Sequence, residues 1–186
     1  MPLTTLDNTP ALVVIDLQKG LMGLPTAHPI DEVVARTVQL ARAFRERALP
    51  VVLVNVAGRA PGRTDAGPPR FAFPPDWTQL VPELEQQPGD HLVTKHRVGA
   101  FIGTSLDNFL REKGVTQIIL TGVATSMGVE STARSAHDHG YNVALAADAM
   151  TDLSHDAHRH SIESVFPRLG EVTSTAEVLE RLKERS

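Results

Sequence analysis

The residues in this sequence that are best placed to do chemistry each follow a short apolar run. Asp16 ends the segment ALVVID, and Lys95 follows the segment HLVT. A carboxyl group at the end of a buried run is poorly solvated, which raises its pKa, whereas a nearby cation lowers it. Such a carboxyl can act as a general acid or base, and an ammonium group can stabilise negative charge. Two simpler interpretations stay open: Asp16 could cap the segment that follows it, and Lys95 could be an ordinary solvated lysine.

A third segment of interest begins where the apolar run QIILTG ends. Small residues follow, and a helical pattern starts within a few positions, so that residues 122–134 form a strand end followed closely by a helix start. Backbone N–H groups at such a helix start bind anions or an oxyanion. The hydroxyl groups of Thr125, Ser126 and Ser131 lie here, but no histidine is near them in sequence, and an unactivated hydroxyl is a weak nucleophile.

The apolar runs that must position these residues are short, rich in β-branched side chains and not strictly alternating. Runs of this kind are typical of strands that are covered on both faces, as in a parallel sheet. Helical patterns lie between them. The predicted strands are 11–16, 50–56, 91–94, 117–122, 142–148 and, more weakly, 170–173. The predicted helices are 30–47, 104–114, 129–139, 156–169 and a last one that follows the capping-box pair Ser174 and Glu177.

Alternating strands and helices predict right-handed crossovers and a three-layer α/β/α sandwich of Rossmann-like type, with residues 1–186 forming a single domain. Ligands of such sheets bind at the carboxyl ends of the strands. We therefore expect Asp16 and Lys95 to meet at that edge, and we expect Asp148, at the end of the fifth strand, to order neighbouring loops. The long irregular stretch 57–89 is expected to carry function, and its Trp77, Phe71 and Phe73 would line the pocket or pack the loop down.

Composition excludes several classes of protein. The 186 residues carry a formal net charge of −4 without a block of like charges, so a nucleic-acid partner is not expected. No apolar run approaches the length of a membrane span, and the first residues do not read as a signal peptide, so we expect a cytoplasmic protein without a membrane partner. The chain contains no cysteine, which excludes disulfides, thiolate metal sites and a thiol nucleophile.

Three segments together resemble the isochorismatase-like hydrolase superfamily, whose members are also called cysteine hydrolases. They are LVVIDLQ from Leu12, VTKHRVGAF from Val93 and TGVATSMGVESTARSA from Thr121. The resemblance implies a six-stranded parallel sheet and a homodimer or higher homo-oligomer acting on a small-molecule substrate. It also implies a catalytic set of Asp16, Lys95 and the residue at position 128. In that pattern the Val123–Ala124 peptide is cis and helps to form an oxyanion hole, and Phe101 lies near the substrate.

The sequence departs from this pattern at the nucleophile, since Gly128 occupies the position of the family's cysteine. A thioester route to amides or nitriles cannot operate without that thiol. The isochorismatases proper resemble this chain in having glycine there, and they cleave a vinyl ether without a covalent intermediate. We therefore expect a hydrolase in which Asp16 donates a proton, Lys95 holds charge, and the backbone of Val123, Ala124 and Gly128 contributes polarisation. The alternative is an amidase relative that lacks its nucleophile and either is inactive or binds a small molecule, since GVATS and VTKHRVGAF look more amidase-like. The glycine could also have been introduced by engineering.

Metal and cofactor sites are not expected. Five of the eight histidines fall between His137 and His160, but their spacing places at most two side by side on a helix. The aspartate-x-histidine motif that binds metal in the related nicotinamidases is absent after the second strand. Phosphate-binding glycine motifs are absent as well. We expect surface histidines, no bound metal and no organic cofactor.

Overall fold

The computed structural model describes residues 3–65, 67 and 74–185. Its strands are β1 (Pro10–Ile15), β2 (Val51–Val56), β3 (His91–Lys95), β4 (Gln117–Val123), β5 (Asn142–Thr151) and β6 (Glu171–Thr173). These six strands form one sheet in the order β3-β2-β1-β4-β5-β6, and every neighbouring pair is parallel. The predicted sandwich with a six-stranded parallel sheet is confirmed.

Helices cover both faces of the sheet because strand side chains alternate between two cores. The helices are α1 (Ile30–Glu46), α2 (Leu106–Glu112), α3 (Glu130–Asp138), α4 (His155–His160) and α5 (Thr175–Lys183). In β1, Leu12 and Val14 pack with apolar residues of α1 and α5, whereas Val13 and Ile15 pack with those of α2 and α3. Across the described ranges, none of these helices has the length and apolar character needed to cross a membrane.

The region after β5 differs from the prediction of one long helix. The regular helix α4 ends at His160, and a wide turn (Ser161–Val165) and a tight turn (Phe166–Arg168) follow. Pro167 explains the tightening, because its ring removes an N–H donor and cannot continue an α-helix.

The prediction that the fifth strand ends at Asp148 is also wrong, since β5 continues to Thr151 after a register shift against β4. The carboxylate of Asp148 accepts a hydrogen bond from the Thr175 backbone N–H at 2.7 Å and lies 3.6 Å from the guanidinium of Arg36. It therefore connects the start of α5 to α1, in keeping with the expected ordering role.

Gly122 lies opposite Ile15, where the backbones of β4 and β1 approach closely. Its φ of 114° lies outside the range that L side chains adopt, and a Cβ there would fall 2.0 Å from the carbonyl oxygen of Ile15. Only glycine allows this approach. Because Ile15 precedes Asp16, the contact fixes the end of β1 against the end of β4.

Replacing this glycine is expected to disrupt the sheet. Gly122→Ala should lower the free energy of unfolding by at least about 3 kcal/mol, because both the φ angle and the contact with β1 are violated. Gly114→Ala is a matched control, since its φ is 64° and no atom lies within 4 Å of the added Cβ. That variant should cost only about 1 kcal/mol. Urea denaturation of both proteins checks the prediction, and equal losses would contradict it.

Candidate active site

The carboxyl group of Asp16 is directed by an unusual backbone at the end of β1. Asp16 has a φ of 54°, in the left-handed region that aspartate visits more readily than most residues. Its N–H donates to the carbonyl of Val54 on β2 at 2.9 Å, so the residue is still tied to the sheet. Strained backbone of this kind is concentrated at functional sites. The residue is 4% exposed, and a simple capping role does not account for this burial.

Lys95 meets Asp16 as the sequence predicts. Its Nζ lies 2.7 Å from Oδ2 of Asp16, and the two side chains are 2% and 6% exposed. The same ammonium group donates to the carbonyl oxygen of Val98 at 2.9 Å. Lys95 is therefore held by its own loop as well as by the carboxylate, and it is not a solvated surface lysine.

The other carboxyl oxygen of Asp16, Oδ1, is buried and has no hydrogen-bond partner among the described residues. A buried oxygen without a partner is costly in a protein interior. Oδ1 is therefore the atom of this pair that can hold a proton or meet a ligand.

Burial dominates the electrostatics of the pair. Loss of hydration raises the pKa of Asp16 to about 6, although the Lys95 ammonium lowers it through charge and a hydrogen bond. A carboxyl with a pKa near 6 exchanges protons readily around neutral pH, as general acids must.

Gly128 lies directly beside this pair. It belongs to a wide π-helical turn, Thr125–Val129, which joins β4 to α3 and is called the site turn below. A Cβ on Gly128 would lie 3.2 Å from Oδ2 of Asp16 and 3.0 Å from a methyl carbon of Ile15. The Val123–Ala124 peptide that precedes the turn is cis. The structure thus brings together Asp16, Lys95, Gly128 and the backbone at 123 and 124.

Thr132 links the site turn to the loop that carries Lys95. Its buried hydroxyl donates to the carbonyl of Gly128 at 2.7 Å and accepts from the N–H of Ala100 at 3.1 Å. One side chain therefore satisfies a backbone group in each of the two segments. Sequence reasoning missed this residue because a threonine on a helix has no distinctive spacing.

Trp77 approaches the end of β1 from the long loop. A Cβ on Gly20 would overlap the indole ring at 2.0 Å, so the ring packs directly on that glycine. The buried side chain of Gln18 donates to the carbonyl of Trp77 at 2.9 Å and accepts from the N–H of Val56 at 2.7 Å. Trp77 is thus fixed near the strand ends, and its contact with substrate stays a prediction. Phe71 and Phe73 lie outside the described residues.

The burial of the Phe101 ring is explained by its packing against other rings. The ring is 7% exposed and lies 5.0 Å from the ring of His139 and 6.0 Å from that of Tyr141, centre to centre. Both partners precede β5, at the amino edge of the sheet. Nothing in these contacts brings the ring to Asp16, and a role in substrate binding stays a prediction without a contact to support it.

The histidine segment contains a functional candidate that sequence reasoning missed. His137, His139, His155 and His160 are exposed, as expected. His158 is half-buried instead, and its Nδ1 lies 2.8 Å from the hydroxyl oxygen of Thr125 in the site turn. A histidine 33 residues away along the chain thus supplies the partner that Thr125 lacks in sequence. Among the described residues, no three histidine, aspartate or glutamate side chains are grouped to hold a metal ion.

Comparison with known proteins places this geometry in a family context. The family model of the isochorismatase domain matches residues 10–177. The isochorismatase family protein YecD of Escherichia coli O157:H7 is 41% identical, over 94% of this chain and 96% of that protein. The solved structure of an isochorismatase family protein from Burkholderia thailandensis is 45% identical, with a TM-score of 0.92 over 96% of this chain and 98% of that one.

Less similar relatives are named for two different reactions. A protein of Pseudomonas chlororaphis, named as a probable isochorismatase, is 33% identical over 90% of this chain and 84% of that protein. The ureidoacrylate amidohydrolase RutB of Pseudomonas syringae is 28% identical over 84% of this chain and 74% of that protein. Similarity alone therefore does not choose between ether and amide substrates.

Titration of Asp16 should reveal its environment directly. The carboxyl carbon of Asp16, followed by NMR, should titrate near pH 6, because burial outweighs the effect of Lys95. Lys95→Met should raise the pKa further, since it removes the cation that favours the charged form. Lys19→Met is the control, because Lys19 pairs with Asp76 at the surface. A midpoint near 4, or one that Lys95→Met leaves unmoved, would contradict this account.

Proposed function

Since this chain belongs to the isochorismatase family of hydrolases, we propose that it hydrolyses a small vinyl-ether substrate of the isochorismate type, with Asp16 as the proton donor. The observation that carries the proposal is the buried Asp16 carboxyl, which has one oxygen on Lys95 and the other without a partner, next to a glycine. This arrangement offers a proton and a fixed positive charge. It offers no side-chain nucleophile at position 128.

The chemistry that fits these groups proceeds by proton transfer to carbon. Protonated Asp16 gives its proton to the terminal vinyl carbon, and the C=C electron pair forms the new C–H bond, which leaves an oxocarbenium ion. Water adds to the cationic carbon and loses a proton, which restores protonated Asp16. The resulting hemiketal breaks the C–O bond to the former ether oxygen, which takes up a proton as the hemiketal hydroxyl loses one, and the products are an alcohol and a 2-keto acid. The net reaction consumes one water molecule and needs no redox partner.

The protonation state of Asp16 suits this role. With a pKa of about 6, roughly a tenth of the free protein carries the proton at pH 7. A substrate carboxylate bound near Asp16 would favour the neutral acid further, because like charges disfavour ionisation. Lys95 then holds substrate charge as Asp16 releases its proton. The unpartnered Oδ1 is the natural site of the transferable proton, because Oδ2 already faces the ammonium.

The bare position at Gly128 supports a non-covalent route. A side chain there would begin within 3.2 Å of Asp16 and would occupy space beside the acid. Glycine leaves that space to the substrate, and the amides of Ala124 and the site turn can polarise it. Val123 and Trp77 would contact the rest of the substrate.

The second candidate is an amidase relative that lacks its nucleophile. The observation favouring it is the same close approach, since a Cβ at position 128 meets Ile15 and Asp16 at 3.0–3.2 Å, which small side-chain shifts can absorb. A thiol would then stand beside the carboxyl and the ammonium, as in the cysteine hydrolases that the sequence resembles.

Incubation with isochorismate, with pyruvate release followed over time, tests the leading proposal. Asp16→Asn should lower kcat by about 100-fold to 10,000-fold, because an amide N–H is far too weak an acid to protonate carbon. Asp31→Asn, an exposed position on α1, is the matched control and should retain full turnover. Full turnover in Asp16→Asn would remove the acid from the mechanism.

The pH dependence of kcat/KM distinguishes a general acid from a general base at Asp16. If Asp16 acts as an acid, kcat/KM should be level below pH 6 and fall about tenfold per pH unit above it, because the protonated form is lost. A general base with the same pKa would give the opposite slope. A rise in kcat/KM between pH 6 and 8 would therefore overturn the proposal.

Gly128→Cys tests the amidase alternative. If the frame is that of an amidase, hydrolysis of nicotinamide or of a carbamoyl amide should appear in this variant and be absent from the unmodified protein. Gly128→Ser is the control, because it adds similar volume with a much weaker nucleophile. Amide hydrolysis in Gly128→Cys, combined with no pyruvate release by the unmodified protein, would favour the alternative.

A further inference from the structure

The site turn is held from outside by the segment that follows β5. Thr125 opens the turn immediately after Ala124, is fully buried, and shares a hydrogen bond of 2.8 Å with Nδ1 of His158. We propose that His158 is a positioning residue that fixes the backbone of the site turn against Asp16 by holding the Thr125 hydroxyl. The proposal rests on the function assigned above only for its turnover readout.

Two further contacts from the same segment reach neighbouring positions. The buried carboxylate of Asp152 accepts from the N–H of Ser126 at 2.7 Å, and the hydroxyl of Ser161 donates to the carboxylate of Glu130 at 2.7 Å. The turn is therefore held at its first residue, at its second residue and at the residue just beyond its end. Three contacts from one segment to successive parts of the turn indicate that this segment positions the turn.

Rigid placement matters because the amides of the turn act only if they are aimed in advance. Dipoles that are already oriented stabilise developing charge without reorganising, and displacements of about 1 Å can cost a hundredfold in rate. Gly128 itself has no side chain that could anchor it from within. Its position depends on the link through Thr132 on one side. On the other side it depends on the contact of Thr125 with His158 and on that of Ser126 with Asp152.

The pair of Thr125 and His158 is not itself a nucleophile and base. Among the described residues, the Thr125 hydroxyl is hydrogen-bonded to His158, and no hydrogen bond joins it to Asp16 or Lys95. A buried hydroxyl that loses its partner is costly, so removal of His158 should displace the turn or let water in. The pair therefore acts by holding the backbone.

The charged and titratable groups around His158 favour its neutral form. Its ring lies 4.8 Å from that of His28, which precedes α1, and His155 and Asp152 also face it. Burial lowers the pKa of His158, as do His28 and His155, whereas Asp152 opposes them. With its proton on Nε2, neutral His158 accepts a hydrogen bond at Nδ1 from the hydroxyl group of Thr125. Protonation would turn Nδ1 into a donor and force that hydroxyl to reorient.

A thiol probe tests the proposal without any substrate. Because the chain has no cysteine, Gly128→Cys introduces a single thiol into the site turn, and its alkylation by iodoacetamide can be followed against pH. The ionisation of this thiol depends on its distances from the amides of the helix start and from the Asp16 carboxylate, so its titration reports where the turn lies. Adding His158→Leu or Thr125→Val should shift the midpoint by about half a pH unit or more. His160→Leu, an exposed neighbour on α4, should leave it unchanged.

Turnover of the vinyl ether provides the second readout. In the chain with Gly128 retained, His158→Leu and Thr125→Val should each lower kcat about tenfold with KM within about twofold, since the amides act mainly in the transition state. The double variant should lose no more than either single one, because both remove the same link. Two conservative variants should retain most of the rate. Thr125→Ser keeps the hydroxyl group, and His158→Asn places a polar atom near the position of Nδ1.

The outcomes separate this proposal from the proposed function. If the unmodified protein releases no pyruvate, the vinyl-ether assignment fails, and the thiol titration still judges His158. If His158→Leu and Thr125→Val lower only the thermal midpoint, with thiol titration and kcat unchanged, His158 is an ordinary packing residue and the proposal is overturned. Should His158→Leu not fold, Thr125→Val and His158→Asn decide by the same two measurements.

Discussion

The buried ion pair between Asp16 and Lys95 is the constraint on which the site depends. The two residues end β1 and β3, which are separated by β2, so their backbones stand about 10 Å apart. A short carboxylate can meet a cation across that distance only if the cation has a long stem, and lysine supplies it. The order of the strands thus dictates which residue types can form the pair.

Such a pair is not an efficient way to stabilise a fold. Taking two charges out of water costs several kcal/mol each, and an apolar pair of similar volume often does as well or better. Asp16 also keeps a buried oxygen without a partner and a left-handed backbone. Three unfavourable features at one residue are best understood as the cost of a carboxyl that releases a proton near neutral pH. The rest of the sheet supplies the stability that offsets them, through two continuous apolar cores.

The sheet and the central pair were predictable because their signals are local. Apolar runs such as ALVVID mark buried strands, and polar residues at their ends must gather at one edge of a parallel sheet. The helix after β5 was mispredicted because α4 ends at His160 and two turns follow, the second of them at Pro167. The end of β5 was misjudged because Asp148 looks like a terminus although the strand continues after a register shift. Thr132, Asp152 and His158 were missed for another reason. Each acts through a contact between segments distant in sequence, and nothing in its neighbours marks that contact.

The charged pair is positioned without a side chain at residue 128, and this has a consequence for how the protein family can evolve. Asp16 and Lys95 are positioned by strand ends and by the loop after β3, and neither depends on the side chain beside them. The glycine codons GGU and GGC differ from the cysteine codons UGU and UGC only in their first base. Where position 128 is encoded by GGU or GGC, a single point mutation would place a thiol beside the carboxyl of Asp16, in a frame whose strand ends are already built.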